Sequence, residues 1–197
     1  MAEITVRKQP VQGRALASCA AILEAAAQLL KAGEGVNTNA IAARAGVSIG
    51  TLYQYFPGKE AILAELVRGL RAEMLADLEG AAEAARGRNL KQSVGLMIGA
   101  ALAHHRRDAA LAAALERVEA ELPMDAETAR LKAAIGGLVI SVLARFNLPD
   151  PERAAQDLSA ITRGMAEAAA RAAERDFDSV ADRIELAAMG YLRAVRS

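Results

Sequence analysis

The feature that most constrains this chain is a single glycine, Gly46, set between two short runs of helix-forming residues within Asn37–Lys59. Before it, polar Asn37, Thr38 and Asn39 offer caps for the free N–H groups of a new helix, and Ile41, Ala42 and Ala45 supply an apolar face. Glycine tolerates the left-handed backbone of a sharp helix exit, so the first helix ends at Gly46, and Val47 follows as a buried plug between two crossing helices. Ser48 caps the next helix, predicted over Ile49 to Phe56, with Leu52, Phe56 and part of Tyr55 pointing inward at helical spacing. Ile49, Gly50, Thr51, Tyr53 and Gln54 are left on the outer face.

Two short helices joined by a tight glycine turn, with small Ala42 at their closest approach, form a helix-turn-helix. An ordinary helical hairpin has no need for two tyrosines, a glutamine and a threonine on two turns of helix, beside a lysine at the following helix start. The run TNAIAARAGVSIGTLYQYFPGKEAIL resembles the N-terminal DNA-binding domain of the TetR family of bacterial transcriptional regulators. The likeness is specific over about residues 14 to 66. Two departures stand out: the turn before Asn37 is about one residue short of the commonest family form, and Asn37 stands where Thr is usual.

Position by position, the resemblance implies base or groove contact by Asn39, Ile49, Gly50, Thr51 and Gln54, and phosphate contact by Thr38, Ser48, Tyr53, Tyr55 and Lys59. The chemistry suits those roles. Gly50 lets the backbone approach closely, Gln54 can pair with adenine, and the methyl groups of Ile49 and Thr51 can meet that of thymine. The family likeness also implies a homodimer on a palindromic operator in double-stranded DNA, and a small-molecule effector acting through a second helical domain.

Composition agrees with an all-α fold: the 197 residues are 53% hydrophobic and very rich in alanine, with 3% aromatics and five prolines. Net charge is zero, which is not the basic footprint common in nucleic-acid binders. The balance is uneven, however. Up to Glu60, the cations Arg7, Lys8, Arg14, Lys31, Arg44 and Lys59 outnumber Glu3, Glu24, Glu34 and Glu60, so the remainder is correspondingly acidic. The lone Cys19 sits in an alanine-rich helix, excludes an intramolecular disulfide and suits a reducing cytoplasm. With no apolar run expected to reach the roughly 20 residues of a membrane span, and no signal-peptide pattern, a soluble cytoplasmic protein is expected.

Four segments follow: a flexible N-terminal arm (1–12), the helix-turn-helix domain (13–58), a connecting helix (59–79), and a helical ligand-binding and dimerisation domain (80–197). Leu16, Ala20, Leu23, Ala27 and Leu30 predict an amphipathic first helix over 13–32, ended by Gly33-Glu34-Gly35. After Pro57-Gly58, a stripe of Ile62, Leu63, Leu66, Leu70, Met74 and Leu78 marks the connecting helix, and a break is expected over Gly80–Asn89. Later helices read as 90–105, 108–121, 125–146, 151–175 and 178–196, punctuated by prolines and aspartates. His104-His105-Arg106-Arg107 reads as a helix C-terminus, where cations offset the dipole. Adjacent histidines diverge by about 100° on a helix, unlike an i, i+4 metal pair.

For the second domain, the resemblance implies a pocket with candidate lining residues Leu70, Met74, Met97, Ala101, His104, Ser141, Arg145, Phe146 and Met165, all of which serve equally well as core or surface. Stripes in the last two helices nominate Leu158, Ile161, Gly164, Met165, Ala168, Ala172, Ile184, Ala188, Tyr191 and Val195 for a dimer interface. A two-fold dimer suits palindromic DNA. No nucleophile elbow, phosphate-binding glycine loop, paired-cysteine metal site or dinucleotide fingerprint occurs, so neither catalysis nor a cofactor is expected. The reading is a ligand-released repressor, set against a DNA-bound scaffold or nucleoid-associated protein controlled by a protein partner.

Overall fold

A computed structural model of the chain describes residues 4–7 and 13–196. Among these, every regular element is helical: α1 (Gly13–Ala32), α2 (Thr38–Ala45), α3 (Ile49–Tyr55), α4 (Lys59–Ala84), α5 (Leu90–Ala101), α6 (Ala103–Glu119), α7 (Asp125–Leu143), a 3-10 turn (Ala144–Phe146), α8 (Pro151–Arg171) and α9 (Phe177–Arg196). The all-α expectation therefore holds. Two compact units divide the chain, the first built from Met1–Leu70 and Ala110–Asp125, the second from Arg71–Ala109 and Ala126–Ser197.

In the first unit, α1, α2 and α3 close around Ile22, Ala26, Leu29, Ile41, Leu52, Phe56 and Ile62. A second cluster holds Ala64, Val67, Leu115 and Met124, with Leu30, Leu66 and Leu70 against it. The buried face of α1 differs from the expected stripe: Leu16 is 52% exposed, whereas Ile22 and Ala26 are fully buried. Alanine suits either side of a helix, so in this segment the leucines misplace the face by about one residue. That helix also corrects the membrane expectation, since Ala15–Ala32 is long and apolar enough to span a bilayer by composition. Its apolar face instead lines the three-helix core.

Of the expected arm, Ile4–Arg7 is described and is packed: Ile4 lies against the Val67–Met124 cluster and Val6 against the three-helix core. Residues 1–3 and 8–12 of that arm lie outside the described residues.

The second unit has two clusters of its own. Val94, Ile98, Leu143, Leu158, Phe177, Val180, Ile184 and Leu192 join α5, the end of α7, α8 and α9, while Leu78, Ala81, Ala85, Met97 and Val142 join the far part of α4 to α5 and α7. Helix α4 does not break at Gly80 but runs to Ala84. One helical glycine costs only about 1 kcal/mol, and burial of Ala81 and Ala85 opposes that cost.

Asn89 then caps α5 with a reciprocal Gln92 contact. Helix α5 ends at Ala101, four residues before the expected point, and the histidines open α6. The backbone nonetheless departs from helix at Asp108 (φ −158°, ψ 84°), immediately after the two arginines. Arg106 donates to the Gly99 carbonyl at 2.9 Å and pairs with Asp178 at 2.7 Å, and Arg107 pairs with Glu73 and Asp77. Those cations are thus engaged within this unit. Helix α8 stops at Arg171 rather than Arg175 because Ala173 turns left-handed (φ 55°), with Glu174 N–H bonded back to the Ala169 carbonyl.

Candidate nucleic-acid interface

Local chemistry builds the two-helix element from its caps inward. Asn37 Oδ1 accepts from Ala40 N–H at 3.0 Å and opens α2. Gly46 closes it in the left-handed region (φ 67°, ψ 28°), and Val47 N–H returns to the Ala42 carbonyl at 3.1 Å. Val47 is half-buried against the three-helix core, less covered than a plug would be. Ser48 Oγ accepts from Thr51 N–H at 3.0 Å, starting α3. Leu52 is fully buried and Phe56 2% exposed, so α3 has one anchored face.

The opposite face is open. Ile49 is 39% and Tyr53 41% exposed, and Gly50 and Gln54 are exposed beside them. A methyl group added at Gly50 meets nothing nearer than Ser48 Oγ at 3.8 Å. Neither packing nor backbone conformation calls for glycine there. Thr38 Oγ1 and the Tyr53 hydroxyl lie 3.2 Å apart, joining the start of α2 to α3. Thr51 is half-buried, with its hydroxyl 2.8 Å from Ser48 Oγ. Asn39 and Lys59 are exposed and Tyr55 half-buried. All ten nominated residues therefore fall in the first unit on α2, α3 and the start of α4, with Ile49, Gly50, Tyr53 and Gln54 outward on one short helix.

The nominated effector residues are not gathered in this way. Met74, Met97, Ala101 and Phe146 belong to the α4–α5–α7 cluster, but Leu70 packs in the first unit and Met165 against the α5–α8–α9 core. His104 leans on His105 (centroids 4.2 Å apart), which stacks flat on Phe177 at 4.4 Å. Ser141 and Arg145 are exposed; Ser141 Oγ donates to the Leu138 carbonyl, and Arg145 donates to the carbonyls of Ser141 and Ala82. An open groove of about 880 Å³ lies elsewhere in this unit, between Arg88, Lys91, Gly95, Leu96, Gly99 and Glu185. Its only advance sign was the Gly95–Gly99 spacing on α5.

The nominated dimer residues also divide. Leu158, Ile184 and Ala188 are buried in the chain's own α8–α9 seam, so they are corrected to core. Tyr191 donates to Asp157 Oδ2 at 2.7 Å, and that bond together with burial raises its pKa above the usual tyrosine value. Ile161, Met165 and Val195 are half-buried, whereas Gly164, Ala168 and Ala172 are exposed. Leu186 was missed: it is 76% exposed on α9, on the side of the helix opposite buried Ile184 and Ala188. Cys19 is buried, which raises its thiol pKa and suits a packing role.

No curated protein matches the chain significantly in sequence. Among solved structures, a transcriptional regulator from Rhodococcus sp. RHA1 is 26% identical, with a TM-score of 0.69 over 90% of this chain and 95% of that one. The TetR-like regulator LfrR from Mycobacterium smegmatis, in complex with proflavine, is 22% identical (TM-score 0.63, 88% and 95% covered). The fatty acid degradation regulator FadR from Bacillus halodurans is 16% identical (TM-score 0.68, 87% and 97% covered). Residues 22–66 match the family described as bacterial regulatory proteins, tetR family, and the chain shares its all-α fold along nearly its whole length with solved transcriptional regulators that carry the same kind of N-terminal domain.

Proposed function

We propose that the chain is a cytoplasmic, homodimeric repressor that reads a palindromic operator with α3 and leaves it when a small molecule binds the second domain. The observation that carries this reading is the outer face of α3, where Ile49, Gly50, Tyr53 and Gln54 stand exposed while the fold requires only Leu52 and Phe56. Gln54 and Asn39 read base edges, and Ile49 and Thr51 meet thymine methyl groups. Thr38, Ser48, Tyr53, Tyr55 and Lys59 hold phosphates and set the register.

Dimerisation uses the exposed edges of α8 and α9. Gly164, Ala168 and Ala172 form a low ridge that lets helices approach, and Leu186 is the apolar residue a second copy covers. Two-fold symmetry then sets the recognition helices near the 34–36 Å spacing of successive major grooves.

Effector control needs a ligand that favours the DNA-incompetent arrangement, because equal affinity for both arrangements shifts nothing. Met74, Met97, Ala101 and Phe146 are the best-grouped candidates of those nominated, and methionine side chains repack readily around a guest. The proflavine complex of LfrR supports effector binding in a protein of this fold. Moving α4 would change the separation of the recognition helices.

The division of labour on DNA is testable with two substitutions. Gln54→Ala should relax base preference at one position, costing about 1–3 kcal/mol for the preferred base. Lys59→Ala should weaken all sequences alike and reduce the salt slope by about one. Equal loss of sequence preference from both would refute the assignment.

A further inference from the structure

The segment Ile4–Arg7 is gripped at both ends by the unit that carries α3. At one end, Arg7 N–H donates to the Tyr55 carbonyl at 2.8 Å. Tyr55 is the last residue of α3, and carbonyls in a final helical turn lack partners within the helix. At the other end, Arg68 Nη1 on α4 donates to the Ile4 carbonyl at 3.1 Å, and the same nitrogen lies 2.5 Å from Glu65 Oε1, which orients it. Between these bonds the side chains alternate as in an extended strand. Ile4 and Val6 pack into the two clusters of the unit, while Thr5 is exposed.

We propose that Ile4–Arg7 is a clasp that fixes the C-terminal end of the recognition helix to α4, and that Arg68 is a positioning residue for DNA binding. A helix of seven residues is too short to hold itself together in water. Its first turn is held by Ser48 and its inner face by Leu52 and Phe56; the clasp holds its last carbonyl. The inference rests on α3 being the DNA reader. It adds a route by which displacement of α4 reaches that helix, through Arg68, the Ile4 carbonyl and the Arg7 amide.

Five proteins carrying the whole chain test it: wild type, Arg68→Met, Arg68→Lys, Arg7→Pro and Arg7→Ala. Arg7→Pro removes the amide donor, whereas Arg7→Ala keeps it and removes only the guanidinium. Affinity is measured on selected operator duplexes at several salt concentrations, and amide hydrogen exchange is followed at Leu52–Phe56 against Ala25 and Ala26 in α1. Arg68→Met and Arg7→Pro are expected to weaken every sequence about tenfold, equivalent to 1.4 kcal/mol, at unchanged salt slope. They should also speed exchange at Leu52–Phe56 selectively. Arg7→Ala, which keeps the amide, should fall well short of Arg7→Pro in both, and Arg68→Lys, which keeps a donor, should recover part of the loss.

Exchange unchanged in Arg68→Met and Arg7→Pro would overturn the clasp. So would an Arg7→Ala variant as weak as Arg7→Pro with a salt slope shallower by about one, since the side chain would then be a phosphate contact. Failure of the wild type to bind any duplex would instead remove the DNA reading. Selective exchange at the end of α3 would still establish the clasp as a structural tie, and its absence would dismiss it.

Discussion

Replacing Gly50 with alanine should move stability and DNA binding in opposite directions. The backbone at Gly50 is helical and lies outside the left-handed region, and the added methyl group has Ser48 Oγ at 3.8 Å as its nearest neighbour. Alanine is therefore expected to stabilise the folded chain by about 0.5–1 kcal/mol, nearer the lower figure because the site is in the first turn. For a chain of this size that raises Tm by roughly 1–4 °C. On the operator the same methyl group occupies the space through which the backbone approaches the groove. A displacement costing about 1.4 kcal/mol weakens binding tenfold. Differential scanning calorimetry and titration of a labelled operator supply the two numbers. Gly46→Ala is the internal contrast: φ is 67° there, and a left-handed alanine should cost about 1–2 kcal/mol. A Gly50→Ala protein that binds as tightly as wild type would refute the close approach, and one that melts lower would refute the open space.

Three further outcomes follow from the second unit. Leu186→Glu places a charge where the second copy is expected, so sedimentation should show monomers at concentrations that keep the wild type dimeric, with little change in the fold of the exposed site. Tyr191→Phe removes the bond to Asp157, worth about 0.5–1.5 kcal/mol. Because the folded-state pKa of Tyr191 is raised above its ordinary value of 10.0, that stability is fully present below about pH 10 and is lost as pH climbs through the folded value. Chemical denaturation should therefore show an alkaline step in the wild type that the variant lacks. Ala173→Gly relieves the positive φ at the end of α8 and should stabilise by about 1 kcal/mol; an unchanged or lower denaturation midpoint would argue against that strain.

The helix-turn-helix was legible because its signals are local. Asn37, Gly46 and Ser48 act on backbone groups within four residues, so their chemistry announces the boundaries wherever the segment packs. Leu52 and Phe56 were legible because a short helix anchored on one side must bury its few large apolar residues. Elsewhere the alanine content blurred the pattern. Helix α1 hides Ile22, Ala26 and Leu29 while exposing Leu16, a rotation that alanine on all sides leaves unmarked. Gly80 looked like a break, yet helix-forming Leu78 and Glu79 before it and buried Ala81 after it carry the helix through.

The effector and dimer residues were harder to read, since an apolar residue at helical spacing fits a core, a pocket or an interface equally well. Ile184 and Ala188 fill the seam between α8 and α9 of the same chain, and Leu186, beside them in sequence, is the one left outside. The docking of Ile4 and Val6 had no readable sign either. Two alternating apolar residues are too few to show a period, and their partners on α3 and α4 are remote in sequence.

The central claim is that α3 reads a two-fold DNA sequence as part of a dimer. Selection of bound sequences from random duplex DNA by the purified full-length protein, with Gln54→Ala alongside, tests it most directly. A palindromic motif is expected, with half-sites about one helical turn or a multiple apart and loss of preference at one base pair of each half-site in the variant. A motif without two-fold symmetry, or one that Gln54→Ala leaves untouched, would contradict it.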